Sequence, residues 1–277
     1  GRLLAVARTA ASSPEMDVDV FDLASGTGRT LGRFSTVESL EWLRDGLVVQ
    51  HTVDTAEGVA DEAGELHTVA ELTYVPLAGA SRLLWSGERL DGPIAAASRG
   101  GRVTFFAGGK VLSADALRPG SVPLVHGSYL GEVRNVEVSP FGGRAAFVTW
   151  DGVYVVEGDG APREIDALGG VHTIWFSDDG AALAYASPAR AVFVTRDTVA
   201  YLDATALDLR ALRFRRDAPG LLVSFQHELV AWDPTTGTKK VLATVKAPED
   251  LEGADVYTGG KLLWRSKLEA SKGTLLD

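Results

Sequence analysis

Phe176-Ser177-Asp178-Asp179-Gly180-Ala181-Ala182-Leu183-Ala184-Tyr185 reads as a polar turn closed by a glycine and followed at once by an apolar run. Val138-Ser139-Pro140-Phe141-Gly142-Gly143-Arg144-Ala145-Ala146-Phe147-Val148 has the same shape, its Gly143 standing 37 residues before Gly180. Working outward, Gly46, Gly101, Gly220 and Gly260 head similar runs, such as Leu47-Val48-Val49 and Leu221-Leu222-Val223. The successive steps are 55, 42, 37, 40 and 40 residues, and Gly1 fits as a further member 45 residues before Gly46. A period near 40 is the length of one four-stranded propeller blade. Glycine at these places is expected to supply the positive φ of a tight hairpin.

A second hairpin recurs between those glycines. Val18-Asp19-Val20-Phe21-Asp22 leads to Gly26, Leu72-Thr73-Tyr74-Val75 to Gly79, Val153-Tyr154-Val155-Val156 to Gly158, and Leu229-Val230-Ala231-Trp232-Asp233 to Gly237. Each is a half-buried strand entering a polar turn, with a shorter strand beyond it. One repeat therefore reads as strands a, b, c and d, and helical periodicity is absent over any useful length. The expected fold class is all-β, a β-propeller of four-stranded antiparallel blades over residues 1–277 as a single domain. Leu3–Arg8 and Leu262–Lys267 both read as strand b, so they take separate slots. Seven blades accommodate them, the first lacking its inner strand and the last its outer one; six blades with a displaced tail is the alternative. The missing strands point to a chain that extends beyond these ends.

The Ser139 and Ser177 units resemble the WD-like repeat of TolB-type bacterial propellers, roughly F-S-P-D-G-x-x-L-A-F, with Phe141 standing where that pattern has Asp. Trp232-Asp233 resembles the strand-c dipeptide of WD repeats. The resemblance implies a bacterial envelope or periplasmic location, with the cytoplasm as the alternative, within a larger assembly, and ligand contacts on the face formed by the d–a and b–c loops.

The bulk numbers narrow the classes. A formal charge of −10 argues against nucleic acid and against a basic membrane-binding face. No cysteine is present, so disulfides and thiolate metal sites are excluded. No run of about 18 apolar residues spans a bilayer. No Gly-x-Ser-x-Gly elbow or H-E-x-x-H motif occurs, so no catalytic residue, metal site or cofactor is assigned.

Two sets of residues are candidates for function. The 55-residue step reflects a long b–c loop in the second blade, acidic through Glu57, Asp61, Glu62 and Glu65, with His67 just beyond. Long loops in compact domains are frequently functional, and this one is a candidate partner-binding lip. His51, Arg134, Trp150, His172 and His227 form a weaker set of ligand-binding candidates on the same face. Trp42, Trp175, Trp232 and Trp264 read as packing between blades.

The expected function is a non-enzymatic protein-interaction platform. Its partners are proteins, one of them supplying a strand at the open ends of the ring. An enzyme, or a propeller binding a small ligand or glycan at its central channel, remains the alternative.

Overall fold

Twenty-six strands and no helix make up the described part of the chain. The computed structural model describes residues 3–9, 15–54, 68–129, 131–167, 169–171, 173–187, 189–203, 209–215, 218–225 and 228–244, and the strand backbones at 251–256, 262–266 and 274–276. Among these residues the strands form seven antiparallel sheets in which neighbours in sequence are neighbours in space.

The first sheet holds β1 (Leu3–Thr9), β2 (Met16–Asp22) and β3 (Thr27–Phe34). The second holds β4 (Thr36–Leu43), β5 (Gly46–Asp54), β6 (Thr68–Pro76) and β7 (Arg82–Gly87). The third holds β8 (Ala95–Ala96), β9 (Arg102–Ala107), β10 (Lys110–Asp115) and β11 (Leu124–Ser128). The fourth holds β12 (Asn135–Val138), β13 (Arg144–Val148), β14 (Val153–Glu157) and β15 (Arg163–Asp166). The fifth holds β16 (Thr173–Phe176), β17 (Leu183–Ala186), β18 (Arg190–Val194) and β19 (Val199–Asp203). The sixth holds β20 (Leu209–Phe214), β21 (Leu221–Phe225), β22 (Glu228–Asp233) and β23 (Thr238–Thr244). The last holds β24 (Leu251–Val256), β25 (Leu262–Ser266) and β26 (Thr274–Leu276). The five central sheets carry strands a to d; the first has b, c and d, and the last a, b and c.

The chain divides into two compact units, residues 1–145 with 156–163, and residues 146–155 with 164–277. In the first unit the period-2 geometry of β5 sends Leu47 and Val49 towards Val18 and Val20 of the first sheet. It sends Val48 the other way, into a cluster with Val103 and Phe105 of the third sheet. In the second unit β17 does the same. Leu183 and Tyr185 join Val148 and Val155, while Ala184 and Ala186 join Leu212 and Val223. A strand covered on both faces must be apolar at every position, which is why strand b reads as an unbroken hydrophobic run. Burying one such side chain fully is worth roughly 1.5–3 kcal/mol.

The a–b turns repeat in their hydrogen bonds. Ala97 N donates to Arg102 O, Ser139 N to Arg144 O, Ser177 N to Ala182 O and Arg215 N to Gly220 O, at distances of 2.8–3.0 Å, with starting residues 42, 38 and 38 apart. The Ser139 and Ser177 hydroxyls accept in return from Arg144 N at 3.0 Å and Ala182 N at 2.9 Å. Strand c ends on a side-chain acceptor that caps the next turn. Asp22 accepts from Ala24 N at 2.9 Å, Asp115 from Leu117 N at 3.0 Å, Thr195 from Asp197 N at 3.3 Å and Asp233 from Thr235 N at 2.9 Å.

The expectation for the a–b glycines needs correcting. Gly180 and Gly220 do have positive φ (71° and 104°), but at the 143 repeat the residue in that conformation is Gly142, at 78°. Gly46 and Gly101 are required by close approach instead. A Cβ on Gly46 would lie 2.5 Å from Val75 O and 2.8 Å from Pro76 Cα, and one on Gly101 would lie 2.4 Å from Asp115 Oδ1. Gly46→Ala is therefore expected to destabilise by about 2–3 kcal/mol, because backbone must move to admit the methyl. Gly108→Ala, at φ 57° in open space, should lose only about 1 kcal/mol. Urea-denaturation midpoints of the two variants test this, and equal losses would refute the close-approach account.

Candidate functional site

The inner strands of the first unit carry an uncommon pair of acids. Glu41 lies on β4 and Glu137 on β12, both partly buried, and β8 between these strands is only Ala95-Ala96. Burial pushes each carboxyl up to about 7, and the charge of Glu41 adds to the rise at Glu137. Such groups can hold a proton near neutrality. Because the folded-state values lie above the ordinary 4.5, both glutamates leave stability intact below about pH 4.5 and erode it as pH rises through 7. The double variant Glu41→Gln, Glu137→Gln should match the parent at low pH and exceed it at pH 8 by roughly 2–4 kcal/mol. Denaturation midpoints at the two pH values give the answer; an equal gain at both would show that the carboxyl charges are irrelevant.

At the a–b and c–d end of the third and fourth sheets lies a groove of about 470 Å³. It runs between the c–d connection 116–123 that precedes β11 and the turns at 139–144 and 157–160. Val122, Leu124 and Phe141 give it apolar walls. Arg102 crosses it, its guanidinium donating to Gly158 O at 2.6 Å and to Asp159 Oδ1 at 2.8 Å. Arg118 also lines it. Beneath, the buried Ser113 Oγ lies 2.8 Å from His126 Nε2, and His126 Nδ1 lies 3.0 Å from Gly160 O. A carbonyl can only accept, so Nδ1 carries the proton, and in the neutral ring Nε2 accepts from the serine hydroxyl. Burial favours that neutral ring by lowering its pKa. The arrangement locks β10, β11 and the 158–160 turn together. A second cavity of about 440 Å³, lined by Asp45, Tyr74, Pro76 and Arg82, opens at the corresponding turns of the second sheet.

His51 is buried at 5% exposure. Its Nε2 is 3.0 Å from Thr73 Oγ1, and its ring packs against Phe34 at 4.7 Å between centroids. Desolvation lowers its pKa. It acts within the fold of the first unit, not as an open ligand. Trp150 is 54% exposed in the turn after β13, and Arg134 is exposed just before β12; the first belongs to the second unit and the second to the first. Glu57, Asp61, Glu62, Glu65, His67, His172 and His227 lie outside the described residues. Among the described residues no group of three or more His, Asp or Glu is placed to hold a metal ion, and no helix is long and apolar enough to cross a membrane.

The groove residues were not singled out by sequence. The signals available were the uncharged run Val122-Pro123-Leu124-Val125 and Phe141 in a position otherwise suited to Asp.

No protein-family model and no curated protein matches the sequence. Solved structures do. The C-terminal WD40 domain of Sif2 aligns over 99% of this chain and 81% of its own, at 10% identity and a TM-score of 0.62. A chain of the mitotic checkpoint complex aligns over 96% and 82%, at 15% identity and 0.59. The β-propeller domain of Cps50 (Swd1) from Myceliophteria thermophila aligns over 95% and 93%, at 13% identity and 0.54. The fold is a β-propeller. Each sheet described above is one of its blades.

Proposed function

We propose that this chain is a non-enzymatic protein-interaction platform, the propeller module of a larger assembly. The observation that carries the reading is where its reactive groups stand. Ser113 and His126 lock blade three, and Asp17 and Asp19 are tied across strands to Arg33, Thr30 and Arg8. Tyr185 and Arg190 converge on Asp166 at 3.0 and 3.1 Å. These groups serve as strand-to-strand ties, while apolar side chains such as Val122 and Phe141 stand exposed at the turns. A rigid framework presenting loops and apolar turn residues suits recognition.

One of the similar structures supports the same reading by name, being a chain of the mitotic checkpoint complex. The acidic segment with Glu57, Asp61, Glu62, Glu65 and His67 is one proposed contact, suited to a basic or mixed partner surface. A partner strand laid beside β1, where other blades carry strand a, belongs to the same proposal. The resemblance of the Ser139 and Ser177 units to TolB-type propellers supports an assembly of the bacterial cell envelope.

The test is affinity capture from source-cell extract, comparing the full chain with one lacking residues 55–65. A defined partner retained by the full chain and reduced at least about tenfold (about 1.4 kcal/mol) by the deletion is expected. Absence of any partner, together with a melting transition raised by Ca²⁺ or Mn²⁺, would overturn the platform reading in favour of a channel enzyme.

A further inference from the structure

We infer that the groove between blades three and four is a docking site for an extended acidic–hydrophobic segment of a partner protein, a reading that rests on the platform function above. Three of the thirteen exposed large apolar residues among those described line this one place: Val122, Leu124 and Phe141. Single exposed apolar residues need no explanation, but a cluster around a concavity does. The volume of about 470 Å³ falls in the usual range of recognition pockets, roughly 300–1,000 Å³.

Phe141 supplies an independent argument. In the equivalent turn of the fifth blade Asp179 accepts from Ser177 Oγ at 2.6 Å and from Ala181 N at 2.9 Å, capping the turn. Those bonds hold the Asp179 carboxyl below its ordinary range. Phe141 has no acceptor to offer, so the fourth blade forgoes that cap and holds a ring 60% exposed at the mouth of the groove. A local rule broken without a packing gain marks a functional position.

Charge decides the occupant. Arg102 is satisfied by Asp159 and Gly158, and the Asp115 carboxylate is engaged by Leu117 N. Arg118 is exposed and has no ion pair among the described residues. Arg99 stands over the Phe141 ring, its guanidinium carbon 5.8 Å from the centroid. With Arg102 and Asp159 paired, the groove sets Arg118, and Arg99 beside Phe141, against the single carboxylate of Asp115, a net positive rim beside apolar walls in a chain of formal charge −10. The complementary ligand is an apolar side chain of leucine or phenylalanine size, seated against Phe141 and Leu124, with a neighbouring carboxylate on Arg118.

The full chain, panned against a random peptide library displayed on phage, should select sequences pairing Asp or Glu with Leu, Ile or Phe. The selected peptide, labelled and measured by fluorescence anisotropy, should bind Phe141→Asp at least about tenfold more weakly (about 1.4 kcal/mol). That variant restores the turn cap, so its denaturation midpoint should equal or exceed the parent's, which separates lost binding from lost folding. Arg118→Glu should weaken binding by a similar factor and accept the same peptide with Lys in place of its acid. Selection of basic or unrelated sequences, or a peptide that binds parent and Phe141→Asp alike, overturns the groove assignment. If the partner captured from extract still binds Phe141→Asp while no peptide is selected, the groove reading falls and the platform reading stands.

Discussion

Every central blade of this chain must be covered on both faces, and most other features follow from that requirement. A sheet whose two faces are both apolar cannot stand alone in water; it is stable only when flanked. The partition of β5, with Leu47 and Val49 on one side and Val48 on the other, shows how a single strand serves two layers. Stacked layers of this kind need twisted sheets. Bulges recur between strands c and d at Val18/Asp19, Leu72/Thr73, Val111/Leu112 and Leu229/Val230, and a bulge increases local twist. The repeat is thus visible in the irregularities as well as in the ladders.

The same requirement governs the polar groups. The outward side of β2 places Asp17 and Asp19 at 6% and 4% exposure, yet the registers set Arg8 and Arg33 opposite Asp17, and Thr30 opposite Asp19. Thr30 and Arg8 hold the Asp19 carboxyl below its ordinary range, so the buried charge is compensated where it stands. In the second unit the Tyr185 phenol donates to Asp166, which Arg190 also reaches, and burial beside that carboxylate pushes the phenol up. Glu41 and Glu137 lack such compensation. Burial pushes both up to about 7 instead, because proton uptake is the cheaper response to losing water.

The fold was legible because each turn announces itself. The glycine period, the apolar strand b and the polar c–d turn are local signals, and the structure places strands where they predict them, including three-stranded sheets first and last. The conformations of individual glycines were less legible. Gly46 looks like a turn residue in sequence, but its need comes from Val75 and Pro76, thirty residues away, which no local pattern contains. His51 looked like a strand-end residue available to solvent. β5 continues to Asp54, so the imidazole falls inside the ladder opposite Glu71 and is buried. The Glu41–Glu137 pair was invisible for the same reason: the two acids are 96 positions apart and share an environment only because β8, between their strands, is short and built of alanine.

Repetition also makes departures interpretable. Thr195 stands where blades one, three and six have Asp at the end of strand c, but its hydroxyl still accepts from Asp197 N and Thr198 N, so the turn keeps its cap and the change is conservative in effect. Phe141 is a departure of another kind. It occupies the place of Asp179 in a turn whose backbone closure is otherwise reproduced, Gly142 N donating to Ser139 O at 2.8 Å as Gly180 N does to Ser177 O. The backbone tolerates the exchange because Gly142 and Ser139 carry the turn. What the exchange alters is the surface: a capped, charged corner becomes an uncharged ring beside Arg99 and above the groove. In a fold held together by so regular a set of ties, a side chain that leaves the tie and turns to solvent is best explained by what it meets there.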